Sequence, residues 1–221
     1  MFTHIKDVKY TLPHLTRKNV DGVRKYFDDD GYMYDSTTSV VGFKDQDGLK
    51  QWRESVGEDV ANYISRQALS LGSKLHEMVE KYLYDIDTYV LESNIFAHAH
   101  FNNIKPLVDN IDNIYGLETK LRSKELGLAG TADCIAEYNG IPSIIDFKTS
   151  SKKKNEKYIE KYFLQATAYS MMWEETTGIK IEQIVVLMTC QDGHRLEFIK
   201  DRNDYIQPLH DIIKEYRELQ K

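Results

Sequence analysis

Cysteine is scarce: Cys134 and Cys190 are the only two in 221 residues, far apart and each in an apolar, strand-like run. That excludes a disulfide framework and fits two buried thiols in a reducing compartment. Proline, with 4 residues, is too rare for a proline-rich linker, and no stretch has low-complexity composition. No apolar run approaches the length of a membrane-spanning helix, so no membrane partner is expected. The opening residues, MFTHIKDVKYTLPH, lack the apolar segment of a secretory signal. Asp7 and the apolar alternation also interrupt the Arg/Ser-rich pattern of a transit peptide. The resulting expectation is a cytoplasmic protein from a bacterium or a phage-infected host. Positive charge is not in excess either. The net charge of −6 weighs against a general nucleic-acid coat protein. It does not weigh against a site where carboxylates hold cations and so attract phosphate. Basic residues are concentrated locally at Lys152, Lys153, Lys154, Lys157 and Lys161.

A hydrophobic content of 41% is ample for a core. The pattern changes near Asn110. Residues 1–110 read as a mainly helical half and residues 111–221 as strands alternating with two helices, together one continuous domain. Within the first half, Asp28-Asp29-Asp30-Gly31 between aromatic runs predicts a hairpin over 25–39. Helical spacing covers 47–84, divided near Gly57, with Leu71, Leu75, Met78, Val79 and Tyr82 on one face. A further helix is expected over 91–108, weakening at Pro106. In the second half, strands are predicted at 115–122, 130–138, 141–148, 184–190 and 195–199. Helices are predicted over 156–176, stopping before Gly178, and over 201–219. This order gives an α/β fold with a mixed central sheet flanked by helices.

Asn139-Gly140 is a strong two-residue hairpin signal. Pairing Tyr138 with Ile141 and running the register back along both strands sets Asp133 opposite Asp146, about 5 Å apart at Cβ. Lys148 follows two residues later and projects from the same face as Asp146. Opposed like charges in a sheet need compensation. A divalent cation held by hard oxygen ligands supplies it; Lys148 alone, as a structural ion-pair cluster, is the other reading.

The run GTADCIAEYNGIPSIIDFKTS resembles the signature of the RecB-like branch of the PD-(D/E)XK nuclease superfamily: Gly-Thr-x-Asp, a hairpin, then Asp-x-Lys-Thr. Gly72-Ser73-Lys74-Leu75-His76, followed by Glu80, resembles the upstream helix with its metal-binding histidine. Gln165-Ala166-Thr167-Ala168-Tyr169 resembles the downstream Gln-x-x-x-Tyr helix, and 115–121 with Glu118 the strand before the Gly-Thr-x-Asp segment. The resemblance implies a restriction-endonuclease-like core. Within that superfamily the chain looks most like the mitochondrial genome maintenance exonuclease family and its phage and bacterial relatives. The carriers are compactness, the absence of a helicase domain, and the segment Ser36-Thr37-Thr38-Ser39-Val40.

The resemblance implies that Asp133 and Asp146 bind Mg²⁺ or Mn²⁺, with the Phe147 carbonyl and His76 as further ligands. Lys148 then orients or deprotonates the attacking water and stabilises developing charge. The branch also has iron–sulfur members, but a cluster takes about four cysteine ligands, so none is expected with Cys134 and Cys190 alone. By periodicity alone, His76 reads as a core or boundary residue of the apolar stripe, and Glu80 as its solvated helical neighbour. Glu118 fits an exposed strand face or a second-metal contact. Gln165 can hydrogen-bond a phosphate or a ligand, and Tyr169 either stacks on a base or packs in the core. Lys152, Lys153 and Lys154 read as a solvated loop or as phosphate contacts beside the site. The expected function is exonucleolytic hydrolysis of single-stranded DNA bearing a free end. The alternatives are a structure-selective or double-strand-processing endonuclease, and a non-catalytic nucleic-acid-binding module.

Overall fold

The computed structural model describes residues 1–5, 11–87 and 94–220. Its strand order follows from turn chemistry. Asp21 and Gly22 take positive φ values of 50° and 81°, closing a hairpin between β1 (Thr16–Val20) and β2 (Val23–Phe27). Asn139 and Gly140, at 52° and 77°, do the same between β5 (Leu128–Tyr138) and β6 (Ile141–Ser150). Paired positive φ values are the mark of a type I′ turn, whose twist matches that of its strands. Between β2 and β3 (Met33–Ser36), the Gly31 N–H donates to the Asp28 carbonyl at 3.0 Å and closes the expected hairpin.

Helices fill the next segment: α1 (Thr37–Val41), α2 (Gln46–Val56), α3 (Glu58–Leu83) and α4 (Ile95–Val108). Gly57, at φ 86°, divides α2 from α3 as the sequence predicted. Of the helix expected over 91–108, residues 91–93 lie outside the described residues. Asn94 caps α4, its side-chain oxygen accepting from the Phe96 and Ala97 N–H groups at 3.0 and 3.1 Å. Pro106 sits inside the last turn, near where α4 ends. Then come β4 (Ile111–Ser123), β5, β6, α5 (Glu160–Thr177), β7 (Gln183–Cys190), β8 (Arg195–Asp201) and α6 (Ile206–Glu218). Gly178, left-handed at φ 74°, ends α5.

The described residues form one mixed sheet of 8 strands in the order β1-β2-β3-β5-β6-β7-β8, with β4 also paired to β5. The first half is helical over α1–α4, yet it contributes three strands, and the parallel β3–β5 pair carries the sheet across the change of pattern near Asn110. β1 was not predicted. It has no apolar face to read, since Thr16, Arg17, Lys18 and Asn19 are all exposed.

Alternation along the central strands builds a core on each face. Ile144, Ile184 and Val186 pack against α5 and α6, among Phe163, Met172, Trp173 and Leu209. Ile145, Phe147, Val185 and Leu187 pack against α3 and α4, among Leu75, Met78, Phe101 and Ile104. Cys134 and Cys190 are buried free thiols. Among the described residues, no helix is long and apolar enough to cross a membrane.

Leu75 is fully buried and docks the middle of α3 on the sheet. Leu75→Ala should lower the unfolding free energy by about 3 kcal/mol, read from the midpoint of urea denaturation. A loss under about 0.5 kcal/mol, the surface range, would mean that α3 is not anchored there.

Candidate active site

The site forms where the sheet forks. On one edge β5 is paired with β4, through Leu121↔Gly130, Lys120↔Thr131 and Thr119↔Ala132 in this stretch. Its other edge is shared: β3 takes Leu128 and Ala129, and β6 takes Cys134 to Tyr138. Between these, residues 130–133 pair with neither strand. The predicted register holds from Tyr138↔Ile141 to Cys134↔Ile145, and the ladder stops one pair short of Asp133 and Asp146. Beyond that point β6 stays paired with β7 as far as Ser150↔Cys190.

Side chains take over where the ladder ends. The Phe147 N–H donates to Asp133 Oδ2 at 3.0 Å, and the Phe147 carbonyl accepts from His76 Nε2 at 2.8 Å. A carbonyl only accepts, so Nε2 carries a proton, and in the neutral ring Nδ1 is the free base. Nδ1 lies 3.7 Å from both Glu118 Oε1 and Asp133 Oδ2. Burial alone would lower the His76 pKa, but Asp133 and Glu118 more than reverse this and raise it to about 9.

Glu118 reaches the site through an irregular backbone. It lies between Leu117↔Cys134 and Thr119↔Ala132, in register with Asp133, and has a positive φ of 45°. A non-glycine residue in that region is uncommon and costs energy. Two residues earlier, a Cβ on Gly116 would lie 2.3 Å from Thr119 Oγ1, so a larger residue there would force Thr119 to shift.

Asp146 and Lys148 form the other half. Asp146 is 2% exposed, and its Oδ1 accepts from Lys148 Nζ at 2.6 Å and from Gln165 Nε2 at 2.9 Å. Burial raises the Asp146 pKa despite the ammonium beside it. Lys148 Nζ also lies 5.1 Å above the Tyr162 ring. Asp146 Oδ2 is buried with no hydrogen-bond partner among the described residues. An orphaned carboxylate oxygen is costly.

The donor set fits a divalent cation. His76, Glu118 and Asp133 each offer a ligand atom, all within 4.8 Å of one another, and Asp146 Oδ2 is an unused oxygen nearby in the fold. Carboxylate oxygens with one imidazole suit Mg²⁺ or Mn²⁺. This redistributes the expected ligands. Glu118 joins the cluster, and Asp146 is engaged by Lys148 and Gln165 instead of facing Asp133 across a ladder. The Phe147 carbonyl is held by His76. Glu80 lies outside the group of three, lining a groove with His76 and Glu118; burial first, then Glu118 and Glu77, raise its pKa.

Tyr169 is buried against β5, where a Cβ on Gly130 would meet its hydroxyl at 2.7 Å. A cavity of about 470 Å³ opens over these groups, lined by Asp133, Lys148, Gln165 and Tyr169. Arg17, Arg24, Tyr26, Thr131, Lys161 and Tyr162 line it too, and the sequence had not marked them as site residues. Lys152, Lys153 and Lys154 are exposed on the loop after β6 and line no part of this cavity; Asp192 holds the Lys153 N–H at 3.1 Å.

Residues 47–219 match the PD-(D/E)XK nuclease superfamily. The chain belongs to that superfamily. Among curated relatives, human mitochondrial genome maintenance exonuclease 1 is 24% identical over 66% of this chain and 44% of its own length. The mouse protein of the same name is 30% identical over 48% of this chain and 32% of its own length. The chain therefore spans less than half the length of the curated relatives it matches. Among solved structures, a putative exonuclease from Eubacterium rectale is 14% identical, with a TM-score of 0.47 over 67% of this chain and 64% of that one. The expected cytoplasmic setting, bacterial or phage, is corrected by these matches, because the curated relatives are mitochondrial proteins of animals. Leader character at residues 1–14 does not place a chain that covers only part of its relatives.

The two signature glycines should respond oppositely to alanine. Gly130→Ala forces Tyr169 aside and should cost about 1–3 kcal/mol, the range for overpacking. At Gly72 a Cβ would meet nothing closer than Thr149 Oγ1 at 3.8 Å. Gly72→Ala should therefore stabilise α3 by up to about 1 kcal/mol. Thermal melts of the two variants check the pair, and equal shifts would show that the Tyr169 contact is not the constraint.

Proposed function

We propose that the chain is a divalent-metal-dependent exonuclease that hydrolyses single-stranded DNA from a free end. The observation that carries this is the convergence of His76, Glu118 and Asp133 beside the Asp146–Lys148 pair at the fork. His76, Glu118, Asp133 and Asp146 would hold Mg²⁺ or Mn²⁺. When bound, such an ion supplies Lewis-acid polarisation of a phosphoryl oxygen and lowers the pKa of a water.

The chain's own residues do the rest. Lys148, held by Asp146 and by the Tyr162 face, keeps a fixed positive charge where the phosphorane-like state gains negative charge. Gln165 keeps Asp146 from turning away. The Phe147 backbone fixes Asp133 and His76 relative to β6. Tyr162 lines the cavity half-buried beside Lys148, and a ring there suits an unpaired base, which supports a single strand as substrate; Tyr26 and Tyr169 are buried and form the cavity wall. The names of the animal relatives support exonuclease action. The helical half supplies His76 and the sheet half supplies the acids, so residues 1–110 and 111–221 act as one unit in this reading.

Two measurements test the chemistry. Lys148→Ala should still fold, at a lower melting temperature because buried Asp146 loses its compensating charge, and lose about 100-fold or more in turnover; unchanged turnover would remove Lys148 from the mechanism. Glu118→Ala should weaken Mn²⁺ binding by calorimetry about tenfold, roughly 1.4 kcal/mol, and His76→Ala should do likewise. Wild-type affinity in both would dismiss the three-residue cluster. For end dependence, linear single strands, blunt duplexes and closed single-stranded circles are compared under one metal condition. Circles should survive while linear strands are degraded; rapid cutting of circles would favour an endonuclease.

A further inference from the structure

Among the described residues, three cavities run in series past the site. The first, of about 800 Å³, shares Arg17, Arg24, Thr38 and Gly42 with the catalytic cavity. On the opposite side, His76 and Glu118 are shared between the catalytic cavity and a groove of about 600 Å³. The two outer mouths carry opposite charge. Among the described residues, Arg17, Lys18 and Arg24 line the first and no acid does. Among the described residues, Glu77, Glu80 and Glu118 line the third and no lysine or arginine does. Lys81 lies 2.5 Å from Glu77 and offsets part of that charge.

The β1–β2 register explains the basic mouth. Arg17 pairs with Tyr26 and Asn19 with Arg24, so all four lie on one face of the hairpin. The other basic residues of this hairpin are engaged: Lys25 is ion-paired to Asp35, and the Lys18 ammonium lies 5.2 Å over the Phe27 ring. Arg17 and Arg24 are exposed and have no carboxylate partner among the described residues. Two guanidinium groups on one face, opening into a cavity that leads to the metal ligands, suit the oxygens of successive phosphates.

We propose that the Arg17–Arg24 face of the β1–β2 hairpin binds the phosphodiester backbone of the uncleaved strand. The strand enters the catalytic cavity from this side, and the Glu77–Glu80 side repels it. This rests on the single-strand reading above.

The test uses the full chain with Lys148→Ala, which holds substrate without rapid hydrolysis, in the presence of Mg²⁺. Fluorescence anisotropy follows binding of a labelled oligothymidylate of about 20 nucleotides between about 50 and 200 mM salt, the range over which counterion release is read. Adding Arg17→Ala and Arg24→Ala should weaken binding at least about tenfold at the higher salt. The log–log salt slope should flatten by about 1.4, at roughly 0.7 for each single-strand phosphate that is no longer neutralised. Arg17→Lys with Arg24→Lys should retain the slope, because the charge remains. If the alanine pair lowers the melting temperature, Arg17→Gln with Arg24→Gln keeps much of each side-chain stem and carries the same expectation. Unchanged affinity and slope in a folded double variant would overturn the site. So would a comparable loss in Glu77→Gln with Glu80→Gln, since it would place the strand at the acidic mouth. Failure of the Lys148→Ala parent to bind oligothymidylate at all would reject the single-strand reading itself, and this site with it.

Discussion

The peptide group on each side of Phe147 is the joint on which the site depends. Where β5 and β6 part, β6 loses ladder partners along one edge, and buried backbone groups without partners are costly. The Phe147 N–H recovers a partner in Asp133, and its carbonyl recovers one in His76. The bonds that make the fork tolerable are thus the same bonds that aim two candidate metal ligands. β7 keeps β6 straight along its far edge through the whole segment, so the joint is rigid on one side and open on the other.

Electrostatics makes this arrangement hold together as a set. Asp146 is buried with one oxygen doubly engaged and the other empty, and Lys148 is its nearest compensating charge. In such surroundings, removing one partner leaves an uncompensated charge and costs more than the pair contributes. Asp133 solves the same problem differently, sharing its burden with a backbone N–H and with His76. Two acids of one signature therefore sit in different environments. One is tied to a lysine; the other faces a histidine and a second carboxylate.

Much of this was legible in the sequence, for identifiable reasons. Asn139-Gly140 fixes the β5–β6 register because the turn type allows only one pairing, and Lys148 follows from strand alternation. What the register could not show is where pairing stops: β3 takes the start of this edge of β5 and β6 its far end, with residues 130–133 left between them. That is why Asp133 and Asp146 are not opposed across a continuous ladder. Glu118 was readable only as an ambiguous strand residue, because no pattern encodes a positive φ at a glutamate. β1 escaped because its residues alternate between polar types, so period-two hydrophobicity has nothing to register. Asp21-Gly22 was its one local signal.

The first three strands bear on why the catalytic fork exists at all. A sheet ending at β5 and β6 would leave residues 130–133 on an unprotected edge, a template for pairing with another chain. β3 occupies the beginning of that edge through only two residue pairs, Asp35↔Leu128 and Ser36↔Ala129, then the chain leaves the sheet as α1. Thr37 secures the departure by donating from its hydroxyl to the Ala129 carbonyl at 3.1 Å. The edge is thus closed at both ends and left open in the middle, where Gly130 admits the Tyr169 ring and Asp133 faces the cavity. A longer β3 would pair with residues 130–133 and fill the fork. Its shortness is what keeps these acids accessible, and the strands before it place arginines at the entrance to the same opening.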